Sequence, residues 1–341
     1  MTRQLTRPLA LVGVAILLLL VGQALLPGFL SLGQIGNQLK IAAFLGLFGL
    51  CQTIVIAAGG QGLDLSVGAS ATLGGILGAA LMQGSNGLTA PALLAAVAAG
   101  GLVGVINGIG IALMRIPPLV ATLAIASVVD GGTILGVSIA HPANSASPVL
   151  VAIGGWASAG VPNIVIVWAI LGALAIWLLS ASAWGKRLTA TGANPVASLL
   201  SGNHVTAIRI AAYGLSGALA AFAGFLLTGY VGQAFFGLGD PYILTSVVVA
   251  VIGGATLAGG RAPYAGVAAA AIMMTVLVSL LTALAIGEAG RQIIFGLVLL
   301  GFLALDRMMK GSLRMAMIGR RPNPAPPIAA ASSAADTPRG G

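Results

Sequence analysis

Apolar residues run through this chain in long blocks rather than in alternation, and short polar or glycine-rich clusters separate the blocks. A membrane-spanning helix needs about 20 predominantly apolar residues, each rising about 1.5 Å. On that ruler the pattern predicts helices over 9–26, 40–58, 65–83, 91–114, 118–140, 163–180, 207–230, 242–258, 264–286 and 291–305. The third and eighth are short, glycine-rich and bordered by Gly-Gly pairs, which suits broken or partly re-entrant helices. Irregular backbone is tolerated at membrane depth where protein covers it or where it lines a cavity. The first apolar run follows Arg3 and Arg7, and LLPGFLSLGQ comes after it instead of a small-residue cleavage pattern. It reads as a retained anchor and not as a signal peptide.

Composition sharpens this picture. Of the 341 residues 58% are hydrophobic and only 6% charged, with a mean hydropathy of +1.08. A soluble domain carries about 25% charged residues. The expected fold class is therefore an all-α polytopic membrane protein with about ten transmembrane helices. A closed β-barrel does not fit, because its strands alternate apolar and polar residues. The net charge of +9 is explained by topology. With both termini cytoplasmic, all of the 15 Lys and Arg except Lys40 and Arg291 fall on the inner side. That follows the positive-inside rule and needs no nucleic acid as partner. Segment 141–162 then lies outside and 181–206 inside. The expected domains are a transmembrane body over 1–319 and a disordered Pro/Ala/Ser-rich tail over 320–341. Gly100, Gly104 and Gly108 repeat every fourth residue, a stripe read as close helix packing. A faint echo links two glycine-rich breaks that follow apolar helices, 59–68 and 253–260.

Candidate chemistry is sparse. Asp64, Asp130, Asp240, Glu288, Asp306 and Asp336 are dispersed, and His141 and His204 fall on opposite sides of the membrane. No catalytic constellation, metal-ligand spacing or cofactor motif is expected. Cys51, alone in an apolar run, reads as a small buried side chain. The nearest approach to a phosphate-binding loop, SASAWGKR, lacks its first glycine and has Arg187 after the lysine. Any ATP-driven step then belongs to another subunit. Asp130, midway along the fifth span in ASVVDGGTILG, is a pathway candidate or a proton site. The preferred reading is a local backbone ligand at a Gly-Gly kink. In GGQGLDLSVGAS, Asp64 and Ser66 border an apolar helix, and Asp64 is expected to cap that helix start. In GKRLTATGANPVASLLSG, Asn194-Pro195 is a helix start, Ala197, Leu200 and Ser201 follow at helical spacing, and Gly202 ends the turn. A short helix carried there between two spans suits docking into a partner.

Together GGQGLDLSVGA, GKRLTATGANPVASLLSG and VIGGATLAGGRAPYAG resemble the membrane permeases of bacterial sugar ABC importers. These are the ribose, xylose, arabinose and galactose type, with similar permeases for autoinducer-2. The resemblance extends from about residue 34 to residue 306. It implies an inner-membrane permease working with an ATP-binding cassette subunit, a periplasmic substrate-binding protein and a second permease copy, identical or paralogous. It also implies that Gly192, Asn194, Pro195, Ala197 and Gly202 belong to the element that couples to the ATPase. Asp64, Leu65, Ser66 and Gly68 match the family's DLSVG core, Asn107 and Gly108 its N-G, Thr122 and Leu123 its T-L, and Gly253, Gly254, Gly259 and Gly260 its second glycine-rich break. The chain departs from the pattern at Gln61-Gly62-Leu63, at Arg261-Ala262-Pro263-Tyr264 and at Thr189. The expected function is import of a monosaccharide or related small polar solute. The alternatives are a branched-chain amino-acid permease and a proton-coupled or facilitative transporter using Asp130.

Overall fold

The computed structural model describes residues 2–155, 160–261, 263–287, 289–298, 300, 301 and 304; for residues 2–5 only the backbone is described. It divides into two compact units, Met1–Phe295 and Gly296–Gly341, and the helical body lies in the first. The expected tail over 320–341 lies outside the described residues, as does most of 299–305.

The described residues form helices α1 (Thr2–Leu25), α2 (Leu32–Ala57), α3 (Val67–Met82), α4 (Thr89–Ala112), α5 (Pro118–Ala140), α6 (Pro148–Gly154) and α7 (Asn163–Ser180). They continue with α8 (Ala183–Ala193), α9 (Pro195–Leu200), α10 (Val205–Val231), α11 (Tyr242–Gly253) and α12 (Tyr264–Ala283), then α13 (Ala289–Val298). Seven are long and apolar enough to cross a membrane: α1, α2, α4, α5, α7, α10 and α12. The chain is thus an all-α, multi-pass membrane protein. Helices α3, α11 and α13 are apolar but shorter. At 1.5 Å per residue α3 is about 24 Å long and α11 about 18 Å, less than a bilayer core of about 30 Å.

Several boundaries moved from their expected places. Helix α2 begins at Leu32 rather than at 40, because Ser31 caps it by accepting from Gln34 N. Polar residues in its first turns, which ended the apolar run, are satisfied by tertiary partners: the Gln34 and Gln38 amides both donate to Ser279 Oγ on α12, at 3.1 and 3.2 Å. Helix α11 stops at Gly253 instead of 258, where Gly254 at φ +110° closes it. Segment 141–162, read from the sequence as an outside loop, contains α6, capped by Ser147 Oγ accepting from Leu150 N. Loop 181–206 is mostly helical, with α8 preceding the expected short helix.

Helices α2 and α10 form the centre, flanked by α3, α4 and α12. Phe44, Phe48, Phe225 and Cys51 pack there with Val67, Ala96 and Ala223 as one apolar core. Cys51 is buried and free, as expected. The glycine stripe on α4 packs against α10: a side chain at Gly100 would strike Gly217 and Ala221, one at Gly104 would strike Tyr213 and Gly214, and one at Gly108 would strike Ile210. Close backbone approach is what small residues at four-residue spacing permit. Trp168 on α7 donates to Tyr264 OH at 2.8 Å, and Tyr264 OH donates to the Gly46 carbonyl at 3.0 Å, so α7, α12 and α2 share a polar tie inside the core.

Candidate translocation core and coupling corner

After α2 ends at Ala57 the chain turns and runs back beside the same helix. Gln52, in the penultimate turn of α2, holds it there. Its side-chain amide donates to the Asp64 carbonyl at 2.7 Å and accepts from Asp64 N at 3.2 Å. This two-point bond does for segment 58–66 what a strand neighbour does for an edge: it satisfies backbone groups that apolar surroundings would leave unpaired.

The Asp64 side chain completes the arrangement. Its Oδ1 accepts from Ser66 N at 3.0 Å and from Ser66 Oγ at 2.5 Å, and its Oδ2 accepts from Ser216 Oγ on α10 at 2.7 Å. Asn107 Nδ2 on α4 donates to Ser66 Oγ at 2.8 Å. Thr122 Oγ1 on α5 accepts from Leu65 N at 3.2 Å while donating to the Pro118 carbonyl at 2.9 Å. Tyr213 OH on α10 reaches the Leu63 carbonyl at 3.4 Å. Gln52, Asp64, Ser66, Asn107, Thr122 and Ser216 are all fully buried. One short segment thereby ties together α2, α4, α5 and α10 at the start of α3.

Four of the sequence candidates, Asp64, Ser66, Asn107 and Thr122, meet in this network, although up to 58 positions separate them in the chain. The expected role of Asp64 needs correction. Ser66 occupies the cap position of α3 and makes no side-chain cap bond. Asp64 instead closes a tight turn with Ser66 N and bridges to α10, because the re-entrant path aims its carboxylate across the helix bundle rather than along α3. Gln52 and Ser216 are participants that the sequence reading missed. Gln52, an amide inside the apolar run LCQTIVIA, carried a visible signal; Ser216, in GLSGALA, carried none.

Gly68 is the second residue of α3, where a side chain would strike Ile243 at 2.5 Å and come within 3.3 Å of the Gly239 carbonyl. Thr72 Oγ1 accepts from Gly239 N at 3.2 Å. The starts of the two short helices α3 and α11 therefore face each other across backbone contacts.

Asp130 lies apart from this network. Helix α5 continues unbroken through Gly131 and Gly132, so the expected kink is absent; both glycines face open space and cost the helix only propensity. Among the described residues the Asp130 carboxylate accepts no hydrogen bond, and the Asp240 carboxylate is near enough to act on it electrostatically.

The second set of candidates forms a corner. Asn194 Oδ1 caps α9 by accepting from Ala197 N at 3.0 Å, and Pro195 takes the first helical position. Thr191 Oγ1 and Ser198 Oγ share a hydrogen bond of 3.1 Å, locking α8 to α9. Gly202 follows at φ +82° with open space around it. Val196, Leu199 and Leu200 project outward, Leu200 84% exposed. A groove of about 550 Å³ runs beside them, lined by Pro195, Val196, Leu199, His204, Val205 and Ile210. Gly192 points the other way, into the body, and Gly253 packs on Gly266 and Val267 of α12.

Comparison with known proteins gives this geometry a family. Residues 34–303 match the family described as branched-chain amino acid transport system / permease component. The galactose/methyl galactoside import permease of Escherichia coli K12 is 29% identical over 312 residues, covering 83% of this chain and 88% of its own. The ribose import permease of Bacillus subtilis 168 is 32% identical over 295 residues, covering 85% and 90%. The fructose import permease of Rhizobium meliloti is 29% identical over 279 residues, covering 80% and 77%. No solved structure matches. With residues 34–303, well over half of its length, matching the family, the chain belongs to the branched-chain amino acid transport system / permease component family.

Proposed function

We propose that this chain is the transmembrane permease subunit of an ATP-binding-cassette importer that brings a monosaccharide or related small polar solute into the cytoplasm. The observation that carries the reading is its similarity, over at least four-fifths of its length, to import permeases named for galactose, ribose and fructose. The family description names branched-chain amino acids, but these relatives are sugar permeases, and DLSVG at 64–68 leans the same way.

In this reading the chain crosses the bacterial inner membrane about ten times, with both termini in the cytoplasm, and pairs with a second permease copy. A periplasmic binding protein delivers the solute from outside. A separate ATPase docks on α9, whose outward Val196, Leu199 and Leu200 form a small apolar anchor beside an open groove. Apolar anchors seated in a partner's pocket are what carry binding energy at such contacts. ATP-driven closure of the cassettes moves α9, and the permease body responds. An apolar lining with few charges suits a neutral solute that must pass without being held.

The test is reconstitution of the full chain with the ATPase that co-purifies with it from native membranes. With the cognate binding protein present, ATP-dependent uptake of radiolabelled galactose, ribose or fructose is expected. Uptake by the chain alone, without ATP, overturns the reading.

A further inference from the structure

Three stretches that are remote in sequence touch backbone to backbone at one end of α2. They are the turn after α2 (58–60), the end of α8 (192–193) and the turn after α11 (254–260). Gly260 N donates to the Ala57 carbonyl at 3.1 Å. Gly192 lies against that same carbonyl, and a side chain there would also come within 2.5 Å of Gly260 N. A Cβ on Gly59 would meet Gly192 Cα at 2.6 Å, and one on Gly259 would meet Gly59 Cα at 2.5 Å and the Gly192 carbonyl at 2.8 Å. Each of these contacts is with backbone, which cannot rotate aside. Thr256 secures the third stretch, with Oγ1 donating to the Gly259 carbonyl at 2.9 Å.

From this junction two arms run to the same place. Five residues after Gly59 the chain reaches Asp64 and then α3. Six residues before Gly259 it leaves α11. The start of α3 meets the far end of α11, its start, at Gly68, Gly239 and Ile243, so the path closes on itself. On the side of the junction away from the body, the Thr191–Ser198 bond and the Asn194 cap make α9 rigid with Gly192.

We propose that Gly192 is a positioning residue that transmits movement of α9 to both short helices at once: the three-way glycine contact makes α3 and α11 shift as one body when α9 is displaced. Packed backbone has no compliance to absorb such a displacement, so it passes through the contact and is not dissipated. The inference rests on the reading of α9 as the ATPase-docking element.

Gly192→Ala, carried in the full chain with its ATPase, separates this proposal from that reading. ATP-driven uptake by the wild-type complex tests the reading; the variants test the inference. Gly192→Ala is expected to leave ATPase association and ATP turnover within about twofold of wild type. The amount of solute imported per ATP should fall by about 2- to 30-fold, the range for residues that carry coupling without touching either ligand. Gly13→Ala, an open position on α1, should change nothing. Should Gly192→Ala fail to assemble, Thr256→Ala and Thr256→Ser decide. Alanine should lower solute imported per ATP several-fold and serine should restore it, because serine keeps the bond to Gly259. Equal solute per ATP in wild type and in either Gly192→Ala or Thr256→Ala overturns the proposal. So does a loss of uptake that a parallel loss of ATP turnover fully accounts for.

Discussion

Asp64 and Asp130 are carboxylates in apolar surroundings, and the fold treats them in opposite ways. Asp64 is fully buried and accepts from two groups of Ser66 and from Ser216. Asp130 stands half-buried midway along α5 with no hydrogen bond among the described residues. The helices around them differ as much: 89% of the apolar stretch of α2, which holds the Asp64 segment, is buried, against 6% for α5, at mean hydropathies of 2.0 and 1.8. A buried charge survives only where donors surround it, so satisfaction of its oxygens marks Asp64 as architectural. An intramembrane carboxylate without partners does not face lipid cheaply; it faces water or another protein surface. The position of a charge in the sequence therefore says less about its role than the count of donors aimed at it.

The comparison can be broken most forcefully at Asp64. Asp64→Leu leaves Ser66 N–H and the Ser66 and Ser216 hydroxyls without their acceptor, at about 1–3 kcal/mol for each buried orphan. Sharply reduced yield of folded protein and abolished uptake are expected in membrane preparations. A well-folded, active Asp64→Leu protein would place Asp64 in the same class as Asp130. Next in size is Asn107→Ala, which removes the donor to Ser66 Oγ and opens a void in the α3–α4 contact. A loss of about 1–3 kcal/mol, read as a lower thermal midpoint in detergent, is expected.

Asp64→Asn is a milder change. Its carbonyl oxygen can keep the bonds from Ser66 while its amide donates to Ser216 Oγ, which reverses its own direction. About 1 kcal/mol is the expected cost, with much of the uptake retained. Near-total loss of uptake in a normally folded Asp64→Asn protein would show that the negative charge itself matters. The smallest structural effect belongs to Asp130→Asn, with stability within about 0.5 kcal/mol of wild type, since no bond is broken. Its value is functional: for an ATP-driven importer, uptake under an imposed pH gradient stays unchanged, whereas loss of a proton dependence present in the wild type favours the symporter reading.

Much of the core was legible because its signals are local. The DLS triplet, the Asn of the fourth span and the Thr after the Pro-Pro turn each interrupt an apolar run, and polar side chains at such positions need partners. All of them proved to join one network around the 64–66 segment. Ser216 was not legible, since a serine beside glycines in an apolar helix is equally suited to plain packing. The glycine echo between 59–68 and 253–260 was noticed but not understood. Pattern can show that two turns are alike; it cannot show that Gly59 and Gly259 touch each other and Gly192. Nor does an i, i+4 glycine stripe reveal its partner, and α10 as the neighbour of α4 is a non-local fact.

The sequence by itself determined the fold class, the approximate spans, the short character of α3 and α11, and the helix start at Asn194-Pro195. Each follows from chain-local physics: apolar length against bilayer thickness, glycine breaks and capping chemistry. Only the tertiary structure decided which helices lie at the centre, that segment 58–66 folds back on α2, and that two glycine turns and the end of α8 meet beside it. Those outcomes depend on which backbones can approach closely enough to satisfy one another's polar groups, and that is a property of surfaces brought together by the whole fold.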